Sequence, residues 1–376
     1  MKSNIFEKLG VDGSVFKDER HLYPEFVPDK LLHRGNEIEG LARIFNLLVK
    51  GRKSHNVFIS GSTGVGKTTV ARFVLKEAEE FTDRVKSLYL NCFEFNSRHS
   101  VLSGITNFLG RASPRRGIAT DEIYTSMLEA LQKSTFSPII VLDEADQLFL
   151  DSEGQKLLYD LLRVNEFGKN SFCLVLISNN ESLAFSLDER VRSSLGEETI
   201  KFSPYTPEQL KDIFHERVTL AFLPSSVEDE VIGFVAAKCA LLGGDCRIGI
   251  ETLLKAGREA EKHGSRKVSL VHAKKAFESV EGASLLKGVK YLSSAEKTIL
   301  SLVAKNIELK SGRVFELFSG SFSHDMSERR LRDLLTGLEK KGFLLSEQIA
   351  LGNQGKTRSF KCRVPSGLLL KEISKN

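Results

Sequence analysis

Asn56-Val-Phe-Ile-Ser-Gly-Ser-Thr-Gly-Val-Gly-Lys-Thr68 runs from an apolar strand into a glycine turn, and from Thr69 through Ala71, Phe73, Val74 and Leu75 it resumes with helical spacing. Gly61 to Thr68 fits G-x-x-x-x-G-K-[ST]. In such a loop the backbone N–H groups of Gly61, Thr63, Gly64, Val65, Gly66 and Thr69 can surround a phosphate. Lys67 can reach its outer oxygens, and Thr68 can hold Mg²⁺. The helix that follows points its N-terminal partial positive charge at the same anion. A chance glycine turn would lack this strand-before, helix-after context, so the stretch predicts a nucleotide pocket.

Working outward, 376 residues suggest two or three domains, each large enough for its own core. A hydrophobic content of 41% and a charged content of 27% are those of a soluble globular chain. No apolar run is long enough to span a bilayer, and Met1-Lys-Ser-Asn-Ile-Phe-Glu-Lys is no secretory signal. The expected setting is the cytoplasm, in association with the nucleoid, with no membrane partner. Cys92, Cys173, Cys239, Cys246 and Cys362 are scattered and lack C-x-x-C spacing, so neither a disulfide framework nor a zinc site is indicated. Charge is unevenly spread. Residues 285–376 carry 17 Lys and Arg against 9 Asp and Glu, a net of +8, whereas the rest of the chain nets −3. A basic end on a near-neutral body suits a phosphate-backbone binder, and a merely solvated charged face is the alternative.

Before the phosphate loop, residues 1–22 show no clear period and read as a loosely packed arm. The prolines of Tyr23-Pro-Glu-Phe-Val-Pro-Asp-Lys-Leu-Leu-His-Arg34 favour an extended path. Asn36 is then expected to cap a helix with Ile38, Leu41, Ile44, Phe45 and Leu48 on its apolar side. After the loop, Val85 to Leu90 reads as a second strand. Two helical patterns, Val101 to Leu109 and Asp121 to Leu131, flank Arg111-Ala-Ser-Pro-Arg-Arg-Gly117. There Arg111, Arg115 and Arg116 are either nucleic-acid contacts or solvated charge.

Ile139-Ile-Val-Leu-Asp-Glu-Ala-Asp146 is a buried-type strand ending in acids. At that end Asp143 would organise Mg²⁺ with Thr68, and Glu144 would polarise the water that attacks a γ-phosphate. The strand Phe172 to Ile177 ends in Ser178-Asn-Asn180. Asn179 either meets the γ-phosphate or satisfies local backbone. Arg190 and Arg192 are candidates for transition-state charge stabilisation. Thr199 to Phe202 makes a fifth strand.

Ser203-Pro-Tyr-Thr-Pro-Glu-Gln209 reads as a junction, with a helix capped by Thr206, Pro207 in its first turn and Gln209 closing a capping box. An all-α stretch follows to about Val280, and within it Gly243-Gly-Asp-Cys-Arg247 puts Arg247 at a helix start. The last section opens with a capped helix at Ser293-Ser-Ala-Glu296, continues with a short helix over Val314 to Phe318, and adds a third from Ser327 to Lys341 that Gly342 ends. Two strands, Phe343 to Ile349 and Thr357 to Val364, then flank Gly352-Asn-Gln-Gly355. Three helices and a hairpin make a winged helix-turn-helix. Its third helix offers Arg329, Arg330 and Arg332 to a major groove and its phosphates, and the hairpin offers Gln354, Lys356 and Arg358. Such modules also dock proteins.

Gly61-Ser-Thr-Gly-Val-Gly-Lys-Thr68, Leu142-Asp-Glu-Ala-Asp146, Ile177-Ser-Asn179, Arg190-Val-Arg-Ser-Ser-Leu195, Phe202-Ser-Pro-Tyr-Thr-Pro-Glu-Gln-Leu210 and Gly244-Asp-Cys-Arg247 stand in one order. In that order the chain resembles the archaeal members of the origin-recognition and helicase-loader initiator family, which are AAA+ ATPases. The resemblance implies an α/β AAA+ base with a parallel sheet (residues 23–203, with an insertion at about 93–135), an all-α lid (204–284) and a C-terminal winged helix-turn-helix (285–376). It casts Asn179 as the sensor-1 asparagine, Arg190 as the arginine finger and Arg247 as the lid's sensor-2 arginine. Tyr205 and Arg217 match lid positions that line the nucleotide, and Val27, Pro28, Leu32, His33 and Arg34 match the segment beside the base. Arg111, Arg115 and Arg116 fall where the family's DNA-touching insertion lies. Cys246 departs from the pattern by replacing a common alanine, and the hairpin turn is less arginine-rich than many family wings. The start lacks the long extension of eukaryotic relatives, hence the archaeal type.

The expected function is an ATP- and Mg²⁺-dependent initiator that binds double-stranded origin DNA and helps to recruit the MCM replicative helicase, with a paralogous initiator as a possible neighbour on DNA. Hydrolysis to ADP is expected to be slow, a timer rather than a motor. The rival readings are a nucleotide-switched regulator that uses its winged helix for transcription control or protein docking, and a transposition or helicase-loading accessory ATPase.

Overall fold

The structure is a computed structural model and describes residues 14–112, 117–149, 152–167, 172–181, 183, 187, 189–195, 198–306, 308–319, 327–350 and 356–375. They fall into two compact units, Met1–Leu270 and Val271–Asn376.

The first unit is built on strands β1 (Val57–Gly61), β2 (Val85–Asn91), β3 (Ser137–Asp143), β4 (Cys173–Ser178) and β5 (Glu198–Phe202). Among the described residues they form a five-stranded sheet in the order β2-β3-β4-β1-β5, and every pairing is parallel. Strands buried on both faces read as continuous apolar runs, which is why β1, β3 and β4 were legible. Alternation then sorts their side chains between two cores. Val57, Ile59, Val141, Val175 and Ile177 pack under helices α1 (Gly35–Val49) and α2 (Lys67–Phe81). Phe58, Ile140, Leu142, Leu174 and Leu176 pack under α3 (Arg98–Phe108), α4 (Thr120–Lys133) and α5 (Ser152–Leu162). Two short helices, α6 (Val164–Phe167) and α7 (Glu189–Leu195), complete this layer system. The registers Ser60↔Ser178 and Asp143↔Ile177 bring the carboxyl ends of β1, β3 and β4 level, which is where an open α/β sheet presents its site.

The same unit carries three lid helices, α8 (Pro207–Ala221), α9 (Asp229–Leu241) and α10 (Cys246–Lys262). The expected capping box at Thr206 and Gln209 is present, with Pro207 in the first turn. Gly249 lets α10 approach α8 closely: a Cβ there would lie 2.0 Å from Cζ of Phe214.

Two expectations fail at the start of the chain. Residues 14–22 are not a loose arm but a strap on the lid. The Lys17 N–H donates to the Ala221 carbonyl at 2.8 Å, the Leu223 N–H donates to the Val15 carbonyl at 2.9 Å, and Val15 and Leu22 are buried. Periodicity could not reveal this, because a strap contributes isolated apolar residues rather than a face. Asn36 does not cap α1. The helix begins at Gly35 with Arg34 in the capping position and no side-chain cap, because a guanidinium has no acceptor to offer the first N–H groups.

The second unit takes all but the first residue of α11 (Leu270–Gly288), continues with α12 (Ser294–Lys305), β6 (Glu308–Lys310), α13 (Ser311–Ser319), α14 (Glu328–Lys340), β7 (Leu344–Ala350) and β8 (Lys356–Cys362), and ends with α15 (Ser366–Ile373). The capping box at Ser293 and Glu296 forms as expected, and Gly342 at φ 80° ends the chain's run through α14. The core joins Ile299, Leu300 and Val303 of α12 to Val314, Phe318, Leu331, Leu335, Leu338 and Phe360. Its antiparallel sheet, in the order β6-β8-β7, has one strand more than the expected hairpin among the described residues. Strand β6 has three residues, of which only Leu309 is buried, too few for alternation to register.

Candidate functional site

The phosphate loop leaves β1 through glycines in conformations that side chains resist. Gly61, Gly64 and Gly66 have φ of 148°, 76° and 93°. Gly61 must also be small, because a Cβ would meet the Phe202 carbonyl oxygen at 2.4 Å. Lys67, the first residue of α2, is buried, and its Nζ donates to the carbonyls of Gly61 and Ser62 and to Oδ1 of Asn179, each at 2.8 Å. Burial lowers the Lys67 pKa against the opposing pull of Glu144 and Asp143. Thr68 donates from Oγ1 to Oδ2 of Asp143 at 2.7 Å, the pairing expected of two groups that share a divalent cation.

Beyond Asp143 the chain turns sharply. Glu144 holds a left-handed φ of 55°, unusual for a residue with a side chain and a strain typical of sites that aim one group. Its carboxylate accepts a hydrogen bond from Nδ2 of Asn179. Burial raises the Glu144 pKa above the ordinary 4.5, and Asp143 and Asp146 add to the rise. Asp146 is tied to the end of β4 by Ser178, whose Oγ donates to Oδ1 at 2.8 Å. Lys67, Thr68, Asp143, Glu144 and Asn179 thus meet at the ends of three adjacent strands.

The lid closes on the loop from one side. The Cys246 N–H donates to the Gly64 carbonyl at 3.2 Å, and Arg247 projects from the first turn of α10 with both oxygens of Asp245 as partners. Burial pushes the Cys246 thiol up to about 12, so it stays neutral at this position, where alanine is common in the family it resembles. Tyr205 is buried under the loop: a Cβ on Gly66 would lie 2.9 Å from its hydroxyl.

The segment expected beside a nucleotide base is divided in its roles. Pro28 is buried, Val27 and Leu32 are half-buried, and His33 is exposed and bonded to Asp212 at 2.9 Å. Arg34 is a structural clamp. Its guanidinium donates to the Val65 carbonyl at 3.0 Å and to Glu37 and the Ser203 carbonyl at 2.9 Å, and it lies 3.9 Å from the Tyr205 ring centre. Arg217 is buried, donates to the His21 carbonyl at 3.0 Å and stacks on Phe26 at 4.7 Å.

One participant escaped the sequence reading. Tyr89 of β2 donates its hydroxyl to Oδ2 of Asp143, and the Arg72 guanidinium covers its ring at 4.2 Å. Burial and the Asp143 charge raise the phenol pKa, so it remains a donor that fixes the carboxylate's orientation. The available signal was a single phenol in an otherwise apolar segment, Leu88-Tyr-Leu90.

Residues 51–184 match the AAA domain family, and residues 211–278 match the Cdc6 AAA+ ATPase-type lid domain. The ORC1-type DNA replication protein of Desulfurococcus amylolyticus is 32% identical over 385 aligned positions, covering 99% of this chain and 98% of that one. The chain belongs to the ORC1-type DNA replication proteins. The Aeropyrum pernix ORC1 protein, solved in complex with DNA, superposes with a TM-score of 0.73 at 30% identity, covering 96% of this chain and 97% of that one. Aeropyrum pernix ORC2, solved as ADPNP-ADP complexes, shares the fold with a TM-score of 0.71 at 23% identity, covering 96% and 98%. This ORC1-type chain is therefore a replication initiator with an AAA+ core, a helical lid and a winged helix, and the regulator reading is not favoured.

Its candidate DNA-contacting residues are unequal. Arg329 and Arg330 are exposed on α14, opposite buried Leu331, Leu335 and Leu338. Arg332 is also exposed and pairs with Glu328 at 2.8 Å. Arg358 does not project from the wing. It binds Glu339 of α14 and donates to Oγ of Ser346 at 2.8 Å, tying β8 to the helix. Arg111 is exposed and pairs with Glu129. Arg115, Arg116 and Gln354 lie outside the described residues, as do the side chains of Lys356 and Arg190, whose backbones belong to β8 and α7. No helix among the described residues is long and apolar enough to cross a membrane.

Proposed function

We propose that this chain is an ATP-switched initiator that binds double-stranded origin DNA and helps to bring the MCM replicative helicase to it. The observation that carries the reading is the single network Lys67–Asn179–Glu144, with Thr68–Asp143 beside it. The loop fits a phosphate group on independent grounds. Its glycines open the backbone, and the Ser62 hydroxyl is buried with no hydrogen-bond partner among the described residues. Thr68 and Asp143 would hold Mg²⁺, which supplies charge neutralisation at the phosphate oxygens.

In this reading Lys67 exchanges its carbonyl partners for β- and γ-phosphate oxygens. Asn179 positions the attacking water, and Glu144 polarises it and accepts its proton. Arg247 meets the γ-phosphate from the lid, and Arg190 acts on the same charge within one chain or on a neighbour's. Tyr205, Arg217, Val27, Pro28, Leu32, His33 and Arg34 shape the base side of the pocket, with Arg34 acting through the loop backbone. Arg329 and Arg330 lead the contact with duplex DNA, and the insertion around Arg111, Arg115 and Arg116 adds a second. A paralogous initiator would occupy adjacent DNA.

Lys67→Ala should abolish nucleotide binding. Glu144→Gln should bind normally and lose hydrolysis by roughly 10²–10⁴-fold, the usual worth of a general base. Fluorescent-nucleotide titration and phosphate release measure the two effects, and equal turnover in Glu144→Gln and wild type would refute the role given to Glu144. Footprinting on duplex DNA from the source genome, with ATP and with ADP, tests the switch. Protection that ignores nucleotide state would leave a DNA binder without one.

A further inference from the structure

The arginine assigned to the γ-phosphate already has an anionic partner. Nε and Nη2 of Arg247 bind Oδ1 and Oδ2 of Asp245 at 3.2 and 2.9 Å, a two-point grip of the geometry that guanidinium also makes with phosphate. Asp245 is fixed in place because it caps α10, its Oδ1 accepting the Arg247 N–H at 3.0 Å. It is also pressed against the phosphate loop. A Cβ added to Gly64 would lie 1.8 Å from Oδ1 of Asp245, and the neighbouring Cys246 N–H donates to the Gly64 carbonyl at 3.2 Å. The arginine itself is solvent-facing, with 65% of its side chain exposed against 15% for Asp245, so its end of the pair is the one able to move.

We propose that Asp245 is a specificity-determining residue that sets the preference between nucleoside triphosphate and diphosphate by competing with the γ-phosphate for Arg247. The proposal rests on the reading of Arg247 as the lid arginine that meets the γ-phosphate. A diphosphate has no group at that position and leaves the Asp245–Arg247 pair intact. A triphosphate draws Arg247 away, which breaks a charge-assisted pair and leaves the Asp245 carboxylate facing the loop alone. Both consequences penalise the triphosphate form selectively. The pair thereby holds the Arg247 side chain, as a latch, in its diphosphate arrangement.

The test is a set of four full-length proteins: wild type, Asp245→Asn, Arg247→Ala and the double variant. Each is titrated with a fluorescent ADP and a fluorescent non-hydrolysable ATP analogue, with melting curves as a control. Asparagine caps a helix as well as aspartate does, so α10 is retained. Asp245→Asn should raise the preference for the triphosphate roughly 1.5- to fivefold, the range of a partly exposed charge pair. The increase should vanish in the Arg247→Ala background. Equal tightening of both nucleotides, or an increase that persists without Arg247, would make Asp245 a mere local charge and overturn the latch. If Arg247→Ala lowers the preference while Asp245→Asn leaves it unchanged, the latch alone fails. If Arg247→Ala itself leaves the preference unchanged, the γ-phosphate reading fails and the latch with it.

Discussion

At Glu144 the same burial that prepares a base also costs stability. The folded chain holds this proton more tightly than the unfolded chain, because burial foremost, then Asp143 and Asp146, raise the pKa above 4.5. As pH rises past 4.5, the unfolded state releases a proton that the folded state still keeps. Stability therefore falls through that window and stays lowered above it. Glutamine keeps the shape, can still accept from Asn179 and carries no proton to lose. Nucleotide-free Glu144→Gln should accordingly melt at a higher temperature than wild type at about pH 7, with the advantage shrinking toward about pH 4. A variant that melts lower at neutral pH would show that the ionised carboxylate earns more from its Asn179 bond than burial removes. In hydrolysis the acid limb of the pH profile should lie above the ordinary carboxylate value for the same reason. Loss of activity with gain of stability is the signature of a catalytic residue whose surroundings oppose its charge.

Elements were legible where one short-range rule decided them. The glycine loop, the capping boxes at Thr206 and Ser293 and the buried runs of β1, β3 and β4 all carry their cause within a few residues. Helix α5 was missed although Leu157, Leu158, Leu161 and Leu162 are buried at helical spacing, because the acids before it drew the reading toward the β3 terminus. Helix α15 was missed because Leu368, Leu369 and Leu370 form a short run with no cap signal, and only Leu369 is buried. The site followed the same division. Motif residues announced themselves, whereas Tyr89 acts through Asp143, a partner distant in sequence. The strap of residues 14–22 belongs with the illegible part, and its fit can be tested through one glycine. A Cβ on Gly257 of α10 would meet Cζ of Phe16 at 2.3 Å and Cε1 of Phe222 at 2.8 Å. Those rings lie 4.7 Å apart at the strap's bridge to the lid. Gly257→Ala should destabilise by about 1–3 kcal/mol through overpacking and expose the strap to limited proteolysis. Unchanged melting together with unchanged cleavage near Phe16 would mean that the strap is not wedged there.

On the scale of the whole molecule, charge and fold divide the labour. The net of +8 in residues 285–376 against −3 elsewhere suits the winged-helix section to a polyanion. Within it the arginines are not equivalent. Arg332 and Arg358 are offset by Glu328 and Glu339, whereas the exposed side chains of Arg329 and Arg330 make no ion pair with the described residues. Duplex affinity should fall steeply with salt, because each neutralised phosphate releases counterions. Replacing Arg329 or Arg330 by alanine should weaken binding across sequences and flatten the log–log salt dependence by roughly one unit each. Arg358→Ala should act mainly by loosening β8 from α14, so it should lower the melting temperature as well as affinity. The measurement is fluorescence anisotropy of a labelled duplex over a salt series, with the full chain. If Arg329→Ala and Arg330→Ala leave both intercept and slope at wild-type values, α14 does not face the phosphates. The charge excess would then be a solvated surface, and the grip on DNA would have to come from the AAA+ unit.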